Sequence, residues 1–164
     1  MLRHGIAEER STALPDADRA LTALGRSRTR AVAEALVRLG LAGSQGLSSP
    51  LRRARETAQI ASEVGLLGLE SPGFVFDGAF APGGDPVPVI AALRQRPLPD
   101  APQRLIIVGH EPDLGDLAAW LIGAPPGAIG LKKAGVALLS LGPEQGQLKL
   151  LMAPRQILGA GWES

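Results

Sequence analysis

The sequence contains no cysteine, which excludes disulfide staples, thiolate nucleophiles and thiolate metal sites together. A cysteine-free chain is compatible with the cytosol, the expected location. Aromatic residues make up only 3% of the chain, so the core is expected to be built from Leu, Val, Ile and Ala. No uninterrupted apolar stretch approaches ~18 residues, so no membrane span is expected. The N-terminus is charged within three residues and lacks the apolar region of a signal peptide. Neither sign of charge dominates: 17 basic residues face 16 acidic ones, for a formal charge of +1. That balance argues against a nucleic-acid binder with a broad basic surface. Any anion site must be a local concentration of arginine. Histidine is scarce as well, with two residues in 164.

What is present suits a folded globule. Hydrophobic residues form 45% of the chain, enough for one substantial core. With no linker, repeat or low-complexity tract, residues 1–164 read as a single domain, expected to be a monomer. The 21 glycines and 14 prolines fall mostly in connections. Met1 to Arg3 can form only a stub of strand. Between Thr22 and Leu39, Leu24, Val32, Ala35, Leu36 and Leu39 recur at helical spacing, with Thr22 as N-cap and Gly40 as stop. A strand at Gln45–Ser48 leads into a helix from Arg52 to about Val64. Residues 66–86 read as loop with a short strand at Phe74–Phe76, followed by a helix from Val87 to Gln95. Arg104–Val108 is the clearest buried strand. Pro112 suits the first turn of the next helix, and Gly135–Leu141 and Gln147–Met152 read as two strands joined by a Gly-Pro-Glu-Gln-Gly turn. Strands alternating with helices predict a three-layer α/β/α sandwich around a mainly parallel sheet. Ligands in such sheets sit beyond the carboxyl ends of the strands.

His4, Ser49 and His110 all fall at those ends. Both histidines follow apolar runs, His4 directly after Arg3, and Arg52, Arg53 and Arg55 follow Ser49-Pro50. A phosphoryl group needs positive donors around its equatorial oxygens and a nucleophile in line with the leaving group. Arginine suits the clamp because its planar fork donates two hydrogen bonds to one phosphate. A neutral imidazole can attack phosphorus, and flanking cations disfavour its protonation. Free amides at the start of the helix after His110 can add to an anion site.

Arg3-His4-Gly5 resembles the R-H-G signature of the histidine phosphatase superfamily, also called the phosphoglycerate mutase-like fold. Ser49-Pro50-Leu51-Arg52-Arg53-Ala54-Arg55-Glu56-Thr57-Ala58 resembles that family's S-P-L-x-R-A-x-x-T-A segment, and Gly109-His110 its late G-H. Asp18-Arg19-Ala20-Leu21-Thr22 with Gly25 is similar to the D-x-R-x-L-T-x-x-G of the SixA-type phosphohistidine phosphatases, a branch that Lys132-Lys133-Ala134-Gly135-Val136 fits less strictly. The resemblance implies that His4 is the nucleophile and that Arg3, Arg53 and His110 hold the phosphate oxygens. It implies no metal and no cofactor. In this branch Pro82-Gly83-Gly84-Asp85 falls where a P-x-G-D segment stands, naming Asp85 as an acid or leaving-group contact, with a solvated loop aspartate as the alternative. Members usually carry several apolar residues before R-H-G, whereas here only Met1 and Leu2 precede it. The chain also lacks the long central insertion that covers the site in mutases, which favours a phosphate displayed on a protein.

The expected activity is therefore hydrolysis of phosphohistidine on a partner protein, through phosphorylated His4. A phosphatase for small esters of the sugar-phosphate type is the alternative enzyme, and a non-catalytic phosphate-binding module is the alternative of another class. Arg52 and Arg55 are read as peripheral, and Lys132 and Lys133 as surface charges. Arg19 guides an acidic substrate or pairs with Asp16 or Glu8. Glu111 either orients His110 or simply suits a first helical turn. Trp120 and Trp162 are read as packing residues.

Overall fold

The computed structural model describes residues 1–68, 71–94, 104–142 and 144–159. The branched apolar run becomes strand β4 (Leu105–Gly109), with four of its five residues buried. It pairs in parallel with β1 (Leu2–Arg3) on one side and β2 (Gln45–Ser48) on the other. Strand β3 (Phe74–Phe76) extends the parallel set beyond β2. Strand β5 (Val136–Leu141) lies antiparallel to β1, and β6 (Gly146–Met152) antiparallel to β5. The order is β3-β2-β4-β1-β5-β6: four parallel strands and an antiparallel hairpin at one edge. Pro143, part of the expected Gly-Pro-Glu-Gln-Gly turn, lies outside the described residues.

Side chains alternate across a strand, so each face of β4 is committed to a different helical layer. Ile106 and Val108 join Val32, Ala33 and Leu36 of helix α1 (Ala23–Arg38) and Ala54, Ala58 and Ala61 of α2 (Arg52–Glu63). Ile107 joins Ile90 of α3 (Val87–Arg94) and Leu114, Leu117 and Leu121 of α4 (Asp113–Leu121). A short α5 (Pro154–Leu158) packs Ile157 and Leu158 on the α1–α2 side. The layers are those of the α/β/α sandwich. No described helix is long and apolar enough to cross a membrane.

Helix α1 starts where its cap is expected, with the Thr22 side chain accepting from the Gly25 amide, and it stops before Gly40 at φ +68°. Its inward face differs from the expected one. Gly25 approaches the chain so closely that a Cβ there would lie 1.9 Å from the Ile6 carbonyl oxygen. That contact fixes the rotation of the helix, turning Thr29, Val32, Ala33 and Leu36 inward. Leu24 and Leu39 are left 39% and 61% exposed. Helix α4 begins at Asp113, so Pro112 is its N-cap and not its first helical residue. Trp120 is 45% exposed, not packed, and Trp162 lies outside the described residues, as does Gln95.

The two-residue β1 occupies the middle of the sheet. Leu2 is fully enclosed, and backbone bonds hold the stub on both sides: Arg3 N–H to Gly135 O, and His4 N–H to Gly109 O, both 3.0 Å. Since β1, β2 and β4 are parallel, the residues that follow them emerge at one edge of the sheet. These are His4, Ser49 and His110.

Candidate active site

The two imidazoles meet there. Their ring centroids are 5.0 Å apart, with the planes tilted by 54°, although 106 positions of sequence separate them. His4 and His110 are both buried, and so is Arg53, while Arg3 is half-buried.

Each side chain is held by local architecture. His4 Nδ1 lies 2.7 Å from the Gly5 carbonyl oxygen. Only a protonated Nδ1 can make that bond, so the lone pair resides on Nε2. Gly5 is required beside it: a Cβ there would lie 2.3 Å from Thr29 Oγ1. The Gly5 amide donates to Thr57 Oγ1 at 3.1 Å, and that hydroxyl donates to the Arg53 carbonyl at 2.8 Å. One threonine of α2 thus fixes the His4-bearing loop and the first turn of the Arg53-bearing helix relative to each other.

His110 Nε2 lies 2.7 Å from Ser49 Oγ. That oxygen also accepts from the Leu51 amide; with the Ser49 hydroxyl donating to Nε2, the ring proton sits on Nδ1. Of the three arginines in Arg52–Arg55, only Arg53 is buried. Arg52 bonds Glu56 at 3.1 Å, and Arg55 stacks over the Phe76 ring at 4.7 Å, so both are peripheral, as expected. Arg3 donates through a terminal nitrogen to the Leu131 carbonyl at 2.7 Å.

Three nitrogens in this group have no partner among the described residues although they are shielded from solvent: Arg3 Nε, Arg53 Nε and His110 Nδ1. A buried donor without an acceptor costs roughly 1–3 kcal/mol, and three such donors beside a free imidazole lone pair make a site suited to an oxyanion.

The electrostatics keep both rings neutral. Burial is the largest cause holding His4 down at about 3; repulsion from His110, Arg53 and Arg3 adds to it, against the bond to Gly5. Burial, then the Arg53 charge, hold His110 at about 4, with Asp16 partly opposing. The expected role of flanking cations is real but second to desolvation. A folded pKa below the unfolded one means that the unfolded chain takes up protons first as pH falls. Stability is therefore lost progressively below pH 6.5. For His4 the loss between pH 7 and pH 5 is about 2 kcal/mol. Urea unfolding at those two pH values should show a smaller loss in His4→Asn than in the parent protein. Equal losses would mean that His4 titrates normally in the folded chain.

Sequence reasoning gives Asp16 and Thr57 no role at the site, places Ser49 only at a strand end, and reads Glu111 differently. Asp16, in a 3-10 turn at Asp16–Asp18, grips Arg53 twice: its carbonyl accepts at 2.6 Å and its carboxylate at 3.0 Å. The same carboxylate meets Arg19 at 2.8 Å and Arg10 at 3.2 Å, which settles Arg19 as a pairing residue. Burial raises the Asp16 carboxyl, but Arg53 and Arg19 outweigh it and hold the group below its ordinary value. Thr57 and Ser49 act as described above. Glu111 does not orient His110. Its half-buried carboxyl, raised by desolvation, accepts the Leu131 and Gly115 amides beside Arg3. Glu111 and Arg3 therefore hold Leu131 through its two backbone groups, the carboxylate at the amide and the guanidinium at the carbonyl. The α4 amides expected to face an anion are partly used this way, and the Leu114 amide goes to the His110 carbonyl at 2.8 Å.

Among the described residues Asp85 forms no hydrogen bond or ion pair with this group. It is exposed, and its carboxylate accepts from the Val87 amide at 3.0 Å, capping α3. Among the described residues no cluster of His, Asp and Glu suits a metal ion.

A model of the histidine phosphatase superfamily, branch 1, matches residues 1–71. An uncharacterized protein of Picosynechococcus is 42% identical over 166 residues, spanning 95% of this chain and 96% of its own length. Among solved structures, that of the protein histidine phosphatase SixA complexed with tungstate matches with a TM-score of 0.79 at 25% identity, covering 95% of this chain and 96% of SixA. A mycobacterial glucosyl-3-phosphoglycerate phosphatase shares the fold, with a TM-score of 0.72 at 22% identity over 93% of this chain and 96% of its own.

Proposed function

The chain belongs to the histidine phosphatase superfamily and is a phosphatase; from that premise we propose that it hydrolyses phosphohistidine on a partner protein in the cytosol, through a phosphoryl group carried on His4. The observation that supports this most is the set of unpartnered nitrogens, Arg3 Nε, Arg53 Nε and His110 Nδ1, beside the unprotonated His4 Nε2. The SixA likeness favours the phosphohistidine substrate, and SixA binds tungstate, a tetrahedral oxyanion.

In the proposed reaction the His4 Nε2 lone pair forms a bond to phosphorus as the bond from phosphorus to the substrate imidazole breaks. The departing nitrogen keeps the electron pair and takes a proton from solvent. Arg3, Arg53 and His110 donate to the equatorial oxygens, whose charge is spread in a loose transition state. A water oxygen then bonds to phosphorus, the bond to Nε2 breaks, and inorganic phosphate leaves with neutral His4 restored. Because burial keeps His4 unprotonated, no base is needed to activate it. No step here is assigned to Asp85, whose carboxylate accepts from the Val87 amide at the start of α3.

The second reading, a phosphatase for small sugar-phosphate esters, is favoured by the shared fold with the glucosyl-3-phosphoglycerate phosphatase. A substrate panel in EDTA separates the two. Phosphohistidine proteins should be turned over with a kcat/KM at least about tenfold above that of sugar phosphates. The reverse order would overturn the proposed substrate class, and loss of all activity in EDTA would overturn the metal-free chemistry.

A further inference from the structure

A cavity of about 420 Å³ lies not at the histidine pair but beside it. Arg28, Lys132, Lys133 and Arg155 line it together with Ile6, and no acidic side chain among the described residues does so. The six ion pairs of the described residues use Arg10, Arg19, Arg26, Arg30, Arg52 and Arg53, leaving all four groove cations without a carboxylate. Arg28 Nε is in addition buried and unpartnered. In a chain with a formal charge of +1, four unneutralised cations around one concavity form a local field that attracts anions.

The topology puts this groove at the catalytic end of the sheet. Strand β5 runs antiparallel to β1, so the lysines preceding β5 lie at the end where His4 emerges. Strand β6 runs antiparallel to β5, so Arg155, just beyond β6, returns to that end. The backbone confirms the proximity. Leu131 accepts from Arg3 at 2.7 Å, and the Ala134 amide donates to the His4 carbonyl at 3.1 Å. Lys132 and Lys133 stand between those two bonds, and Ile6 is two residues beyond His4.

We propose that this groove docks acidic side chains of the phosphorylated partner, close to the residue whose phosphoryl group enters the site. The inference rests on the phosphoprotein reading above and adds the partner's charge. The cations are exposed at Lys132, Lys133 and Arg155, so their contribution lies in encounter and orientation and is sensitive to salt. A second phosphate on a small substrate would use the same charges, but an open groove with cations on three separate elements matches the spread carboxylates of a protein surface better than one compact group.

The test needs no turnover. Binding of a fluorescent peptide with several Asp and Glu around an unphosphorylated histidine is measured by anisotropy against Lys132→Gln/Lys133→Gln/Arg155→Gln and the parent protein. Hydrolysis of p-nitrophenyl phosphate serves as the control for an intact site. The peptide should bind the parent protein roughly tenfold more tightly than the triple variant at low salt, the difference shrinking as salt rises, with p-nitrophenyl phosphate turnover unchanged. Equal binding to both proteins, or binding to neither, overturns the docking surface. Pyrophosphate that competes only with the parent protein, where the peptide does not bind, assigns the groove to a small substrate and overturns it too. Failure of phosphohistidine turnover in the substrate panel, with the peptide still bound in the groove, refutes the substrate reading alone.

Discussion

His4→Ala should abolish turnover of both p-nitrophenyl phosphate and phosphohistidine, lowering kcat by at least about 10³-fold, as loss of a covalent nucleophile does. Among the described residues His4 presents an imidazole lone pair fixed by its tautomer, because Nδ1 is tied to the Gly5 carbonyl. No neighbour can replace it. His110 has its Nε2 tied to Ser49, and the arginines have no lone pair to offer. The substitution should leave the fold intact, since β1 is held by backbone bonds to Gly109 and Gly135 and the Gly5–Thr57 contact uses the backbone amide. Circular dichroism and inorganic phosphate binding would check both points. Turnover within tenfold of the parent protein in a folded His4→Ala would refute the mechanism.

Arg53→Ala carries the second large effect. Removing a donor aimed at developing negative charge costs about 2–4 kcal/mol of transition-state stabilisation, a fall in kcat/KM of roughly 10²–10³-fold. Part of the loss is structural in origin. Asp16 holds two nitrogens of Arg53, and without the guanidinium its carboxylate, still paired with Arg19 and Arg10, loses one of the three cations that offset its charge. Adding Asp16→Asn to Arg53→Ala should therefore recover part of the lost kcat/KM by removing that less fully offset charge. The cycle separates the missing donor from the carboxylate it leaves behind. A fall of less than tenfold in the single variant would show that another arginine holds the phosphate.

How far the sequence discloses this site depends on the range of the interactions involved. Strand ends are legible locally, because an apolar run followed by glycine marks where β1 and β4 stop, and both histidines sit there. Arg53 is legible through helix geometry. With Ala54, Thr57, Ala58 and Ala61 facing the sheet, Arg53 falls on the buried side and Arg52 and Arg55 do not. Asp16 is invisible at that level. It reaches Arg53 from a loop with no periodicity, and only the fold brings residues 37 positions apart into contact. Glu111 is misread for a related reason: its partner amide belongs to Leu131, on a segment whose path the local pattern does not set. The rotation of α1 is fixed by Gly25 against Ile6, a contact between a helix and a loop, so a pattern of leucines alone turned Leu24 and Leu39 the wrong way. Helix α5, five residues long, is too short to carry a periodic signal.

The central claim is that phosphorus is bonded to His4 during turnover. Rapid mixing with a phosphohistidine substrate, an alkaline quench to preserve phosphoramidate bonds, and mass spectrometry of the N-terminal peptide would test it directly. A transient phosphoryl group should appear on His4, forming and decaying at rates matching turnover. Full activity with no phosphorylated His4 at any time, or a phosphoryl group found on His110 instead, would contradict it.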